Sequence, residues 1–206
     1  MKFLQRPFLS LILLFVLSAF ISKPKIEKPE KVYLFAYSTV KNNGKNGLHF
    51  AWSSDQKSWF AIGPEHPFLK SDYGSWGPTG KIMSEAFLFK DDTGIFHCFW
   101  SVKDDVLAHA SSKDLISWKS QNYIQAMKEV SKEGKPVIQS ITVSRKDAQY
   151  VIHWTAENTS YSSVTKDFKN YSKPIIDANK TPNLNEVLLN GQIEKGTITE
   201  VDWNLV

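Results

Sequence analysis

A twelve-residue pattern that returns along the chain limits the folds open to it. LHFAWSSDQKSW at 48–59 matches LAHASSKDLISW at 107–118, and SYSSVTKDFKNY at 160–171 keeps the Ser/Thr, the Asp two positions later and the closing aromatic. Asp55, Asp114 and Asp167 are 59 and 53 residues apart. A period of that length belongs to supersecondary units that stack or arrange radially, because one such unit cannot bury its own apolar face.

Strand-like runs stand at matching offsets before each phrase: KVYLFAYS at 31–38, IFHCFWS at 95–101 and YVIHWTA at 150–156. Two of them follow a further strand and a turn, EAFLFKDDTG at 85–94 and QSITVSRKDAQ at 139–149. The repeated unit is therefore three or four antiparallel strands, and propeller blades fall near this period. Helix signals are confined to YIQAMKEVSKEGK at 123–135, which Gly134 would end. Within each phrase the Asp follows a strand, where its side chain can accept backbone amides and fix a tight corner. These aspartates read as architectural, and the aromatic four positions on would cap the unit against its neighbour.

The N-terminus carries Lys2 and Arg6 and then an apolar run over 8–21, too short for the roughly 20 residues of a membrane span but suited to a signal-peptide core. Residues 1–22 are expected to be a signal peptide, with an uncleaved anchor as the alternative and the only membrane attachment in view. A Lys/Pro linker follows at 23–31, then one domain over 32–206, in a secreted or periplasmic protein. Removing Lys2 and Arg6 lowers the net charge from +4 to +2, and the remaining basic excess is crowded into the linker. There is no basic strip with interleaved aromatics, so nucleic acid is not an expected partner. Cys98 is the single cysteine, set among aromatics, and reads as a buried thiol.

YLFAYS followed by GLHFAWSSDQKSW, then MSEAFLFKDDTGIFHCFWS followed by LAHASSKDLISW, then the weaker third unit, resemble the five-bladed β-propeller glycosidases of glycoside hydrolase family 43. NGQIEKGTITEV, at 190–201, resembles the closing segment in which a late strand completes the first blade. The expected fold is all-β and propeller-like, with antiparallel blades of three to four strands. With three blade-like units it is incomplete relative to five blades, and its open strand edges invite a homo-oligomer.

The resemblance implies action on arabinosyl, xylosyl or galactosyl linkages of an oligosaccharide or polysaccharide, through carboxylates on the innermost strands. Where that family has Arg-Asp-Pro at the start of the second inner strand, this chain has Ser84, Glu85 and Ala86, so Glu85 is the candidate catalytic acid. The third unit has Gln139 and Ser140 and no acid. Glu194 would enter the centre if the tail closes the first blade, although Lys195 beside it points to a surface pair. Candidate sugar-binding residues are Tyr73 and Trp76 in the loop SDYGSWGPTG, the strand-end residues Trp100 and Trp154, and Glu157. No cofactor is expected; the resemblance alone allows a calcium ion at the propeller centre. The five histidines show no metal-ligand spacing. The incomplete acid set leaves two functions open, a glycosidase and a non-catalytic carbohydrate-binding or scaffold protein. A lectin-like β-sandwich is the third reading if the repeat is coincidence. Asn158, Asn170 and Asn179 are glycosylation acceptors only in a host that modifies secreted proteins.

Overall fold

The structure, a computed structural model, describes residues 28–39, 41, 46–72, 81–102, 106–119, 121–124, 138–178 and 184–206. The leader, most of the linker, Tyr73, Trp76, Asn179 and nearly all of the expected helix lie outside the described residues. Tyr123, at the start of that segment, belongs to a short strand.

Among the described residues thirteen strands form three antiparallel sheets. The first contains β1 (Lys31–Ser38), β2 (Leu48–Ser53), β3 (Phe60–Ile62), β12 (Asn185–Leu189) and β13 (Gln192–Asp202), in the order β12-β13-β1-β2-β3. The second runs β4 (Ser84–Lys90), β5 (Phe96–Val102), β6 (Val106–Ser112) and β7 (Asn122–Tyr123). The third repeats that order with β8 (Ile138–Lys146), β9 (Gln149–Ala156), β10 (Thr159–Thr165) and β11 (Ile175–Ile176). The late strand β13 pairs with β1 from Lys31↔Asp202 to Tyr37↔Gly196, so the C-terminal segment does complete the first sheet. Residues of the expected linker join this seam, where Trp203 N–H donates to Glu30 C=O at 2.9 Å.

β4 touches β13 and β1 on one side and β8 on the other, so β13, β4 and β8 are the inner strands of neighbouring blades. Period-two alternation divides the core between the two gaps. Leu34, Ala36, Phe50, Leu88, Cys98 and Trp100 fill the space between the first and second sheets. Phe99, Leu107, Ile141, Ile152 and Trp154 fill that between the second and third. On the other face of the first sheet Phe35 and Tyr37 pack with Val187 and Leu189 of β12. The Asn190–Gly191 turn, with φ of 50° and 80°, folds β12 back onto β13. Positive φ at both central residues is the two-residue hairpin geometry that matches strand twist.

The repeated phrase makes the same corner three times. Asp55 Oδ1 accepts the amides of Lys57 and Ser58 at 2.8 and 2.9 Å. Asp114 accepts those of Ile116 and Ser117 at 2.9 and 2.6 Å, and Asp167 those of Lys169 and Asn170 at 2.9 and 2.8 Å. The residue after each Asp (Gln56, Leu115 or Phe168) has positive φ. Trp59 Nε1 and Tyr171 Oη return to the carbonyls of Gln56 and Phe168, which ties the closing aromatic to its own corner as well as to the core.

Candidate functional site

Glu85 and Ser140 occupy the same place in adjacent blades. Each is near the start of an inner strand, each has a φ of 54°, and each lies in a bulge, between Ser84 and Phe87 in β4 and between Gln139 and Thr142 in β8. The left-handed conformation costs a non-glycine residue about 1 kcal/mol or more. Two such residues side by side at the centre of the fold mark a place where side-chain direction outweighs backbone comfort. The Glu85 side chain crosses to the next blade, and its Oε2 accepts the Ser140 amide at 3.3 Å.

The third inner strand carries a second, buried carboxylate. Glu194 is the third residue of β13, as Glu85 is the second of β4. The two strands run side by side, with the Leu88 amide donating to Thr197 Oγ1 at 3.0 Å. The expectation of a surface pair with Lys195 is corrected. Alternation turns Lys195 to Glu186 at 3.2 Å and sends Glu194 to the face opposite Thr197, away from β4, where it is only 4% exposed. Thr39 Oγ1 donates to it at 3.4 Å. Burial, and after it the Glu194 carboxylate, push the Tyr37 hydroxyl up to about 12. His49 stacks obliquely on Tyr37 with ring centroids 5.7 Å apart; burial lowers its pKa, and its Nε2 has no hydrogen-bond partner. An unpaired buried nitrogen is costly.

The remaining sequence candidates divide differently. Trp100 and Trp154 are 0% and 1% exposed and belong to the cores between sheets, so neither presents a face to a sugar. Trp100 Nε1 donates to Ser71 Oγ at 3.1 Å, and Trp154 stacks on Tyr161. Glu157, with Asn158, forms the two-residue turn between β9 and β10, both at positive φ, and it is exposed there. Cys98 is buried, and burial pushes its thiol well above the usual range.

Two of the five histidines form a chain with an aspartate. His97 Nδ1 is 2.9 Å from His109 Nε2, and His97 Nε2 is 3.2 Å from Asp91 Oδ2. Burial, and then the neighbouring His97, push His109 down to about 3. Burial also lowers His97, partly opposed by Asp91. Burial raises the Asp91 carboxyl, but hydrogen bonds from Thr93, the Ile95 amide and His97 outweigh it and hold it low. The ring of Phe168 covers His97 at 3.8 Å, joining the third sheet's Asp corner to the second sheet. Among the described residues no group of three or more His, Cys, Asp or Glu side chains is placed to hold a metal ion, and no step is assigned to calcium.

No protein-family model matches the chain, and no curated protein matches it by sequence. Solved structures do match. A candidate glycosidase from Bacteroides thetaiotaomicron aligns over 82% of this chain and 54% of its own, at 17% identity and a TM-score of 0.51. An exo-beta-1,3-galactanase from Clostridium thermocellum aligns over 74% of this chain and 34% of its own, at 13% identity and a TM-score of 0.53. A candidate glycoside hydrolase from Bacteroides ovatus covers 70% and 46%, at 15% identity and 0.50. The fold is β-propeller-like. At these identities the likeness is one of fold, and the chain spans about half the length, or less, of the structures it matches.

Proposed function

We propose that this is a secreted glycan-acting protein related to the family 43 glycosidases, hydrolysing arabinosyl, xylosyl or galactosyl bonds at the N-terminal ends of β4, β8 and β13. The observation that carries the reading is Glu85: a carboxylate on an inner strand, in a left-handed bulge, held by the amide of the adjacent blade. Hydrolysis of a glycosidic bond needs one carboxyl to protonate the leaving oxygen and another to activate water or attack the sugar. Glu85 is assigned the proton donor's role; Glu194, on the adjoining inner strand, faces Tyr37 and Thr39 rather than β4 and is assigned no catalytic step. The fold shared with a galactanase and with candidate glycosidases supports a carbohydrate substrate, and the apolar leader at 8–21 supports secretion.

A second reading, glycan binding without turnover, is favoured by one observation. Ser140 stands where Glu85 stands in the neighbouring blade, so that position supplies a hydroxyl and no third acid. Assaying folded mature protein and Glu85→Gln on aryl and natural arabinosides, xylosides and galactosides separates the two. Turnover that Glu85→Gln loses supports the hydrolase. Saccharide binding without turnover supports the binder.

A further inference from the structure

Away from the inner-strand carboxylates, the third sheet presents a different chemistry to the open side of the fold. A cavity of about 1000 Å³ lies between that sheet, β4 and β13, lined among others by Ser144, His153 and Asp177. Ser144 Oγ is 3.1 Å from His153 Nε2, and His153 Nδ1 is 3.0 Å from Asp177 Oδ2. The carboxylate fixes the tautomer: Nδ1 carries the proton that Asp177 accepts, which leaves the Nε2 lone pair to accept the Ser144 hydroxyl.

Strand pairing builds this line from three strands and the segment after β11. Thr142 and Ser162 flank His153 as its cross-strand partners in β8 and β10, and Ser144 lies two residues beyond Thr142 on the same face. Asp177 is anchored by its own amide, which donates to Ser160 C=O at 2.8 Å. Ser144 is exposed, while the His153 and Asp177 side chains are largely covered. That gradient is what a nucleophile, its base and the base's orienting acid require.

We propose that Ser144, His153 and Asp177 form a nucleophile–base–acid triad that cleaves short-chain carboxylic esters bound in this cavity. Ser144 Oγ attacks the ester carbonyl carbon while its proton passes to His153 Nε2. The carbon–oxygen bond to the alcohol breaks, and His153 returns the proton to the departing oxygen. Water then attacks the acyl-Ser144 carbonyl and gives a proton to His153, which restores it to Ser144 as the carboxylic acid leaves. The hydroxyls of Thr142 and Ser162 line the same wall and are the donors available to the oxyanion. Phe87, Val151 and Val164 supply apolar surface for the acyl chain. Ester cleavage stands apart from the glycosidase reading; that the ester is an O-acetyl group on a sugar rests on it.

Wild-type full chain and Ser144→Ala, both shown to be folded by circular dichroism, are incubated with a fluorophosphonate and with p-nitrophenyl acetate. Ser144 is exposed, so its alanine variant should keep the fold. One covalent adduct on wild type and none on Ser144→Ala is expected, with ester hydrolysis lower in the variant by about a hundredfold or more. Asp177→Asn should reduce the rate while leaving Ser144 in place. Equal rates in wild type and Ser144→Ala, or no adduct, overturn the triad. Acetate release from acetylated xylan supports the sugar ester; its absence from protein that cleaves the aryl ester overturns that substrate class alone. Glycoside turnover is read on separate substrates, so its failure leaves these outcomes unaffected.

Discussion

Glu85 Oε2 takes the amide hydrogen of Ser140 at 3.3 Å, linking two residues with the same left-handed backbone in the same bulge of adjacent blades. Each residue departs from strand geometry where the inner strands begin. The departure aims a carboxylate in one blade and an amide donor in the next.

Glu85→Gly tests the strain in that arrangement. Glycine adopts a φ of 54° without the Cβ penalty, so the melting temperature should stay level or rise by about 2–4 °C, although the bond to Ser140 is lost. Thermal unfolding followed by circular dichroism measures it, and glycan activity should disappear in the same variant.

The repeated corners predict an acid-sensitive stability. Amides of Ser117 and Ile116 hold Asp114 at about 2, and those of Asn170 and Lys169 hold Asp167 at about 2, both below the ordinary 3.8. A depressed carboxyl stabilises the fold above its unfolded pKa and ceases to do so as pH falls through the folded value. Asp114→Ala should therefore lower Tm by about 2–4 °C at pH 7, with the difference shrinking between pH 4 and 2. Thermal melts of both proteins across that range provide the check.

His109 acts in a higher window. It is held neutral with a pKa near 3 against an ordinary 6.5, so the unfolded chain takes up a proton that the fold refuses. Its contribution is complete above pH 6.5 and declines as pH falls towards 3. His109→Gln, which keeps a polar side chain without titrating, should show a shallower fall in Tm between pH 6.5 and 4 than wild type.

Closure of the first sheet depends on Gly196. A Cβ there would lie 2.0 Å from Ala36 O, a backbone atom that cannot move without opening the β1–β13 pair. Gly196→Ala should cost about 3 kcal/mol or more, read as a lowered denaturation midpoint. A near-neutral change would show that β13 is not clamped against β1.

Local chemistry was the legible part of this sequence. The Asp corners use residues within three positions of one another, so the phrase itself carried their geometry. The aromatic neighbours of Cys98 likewise marked it as a buried thiol. Glu194 was misjudged from its neighbour Lys195, when period two in a strand sends adjacent residues to opposite sides. Trp100 and Trp154 were taken as sugar platforms from residue type, but strand order places them between two sheets. β12 was missed because it packs with Phe35 and Tyr37, far away in sequence. Ser144, His153 and Asp177 share no motif, and only the pairing of β8, β9 and β10 brings them to one face.

The central claim, that glycans are engaged where Glu85 and Ser140 meet, is tested most directly by amide chemical shifts during titration with xylo-, arabino- and galacto-oligosaccharides. The Ser140 amide is the reporter because it donates to Glu85. The account predicts saturable shifts at Ser140 and at the starts of β4 and β13, abolished or strongly weakened in Glu85→Gln. Saturable binding that leaves those amides unmoved, or no binding by the folded protein to any of the three, would contradict it.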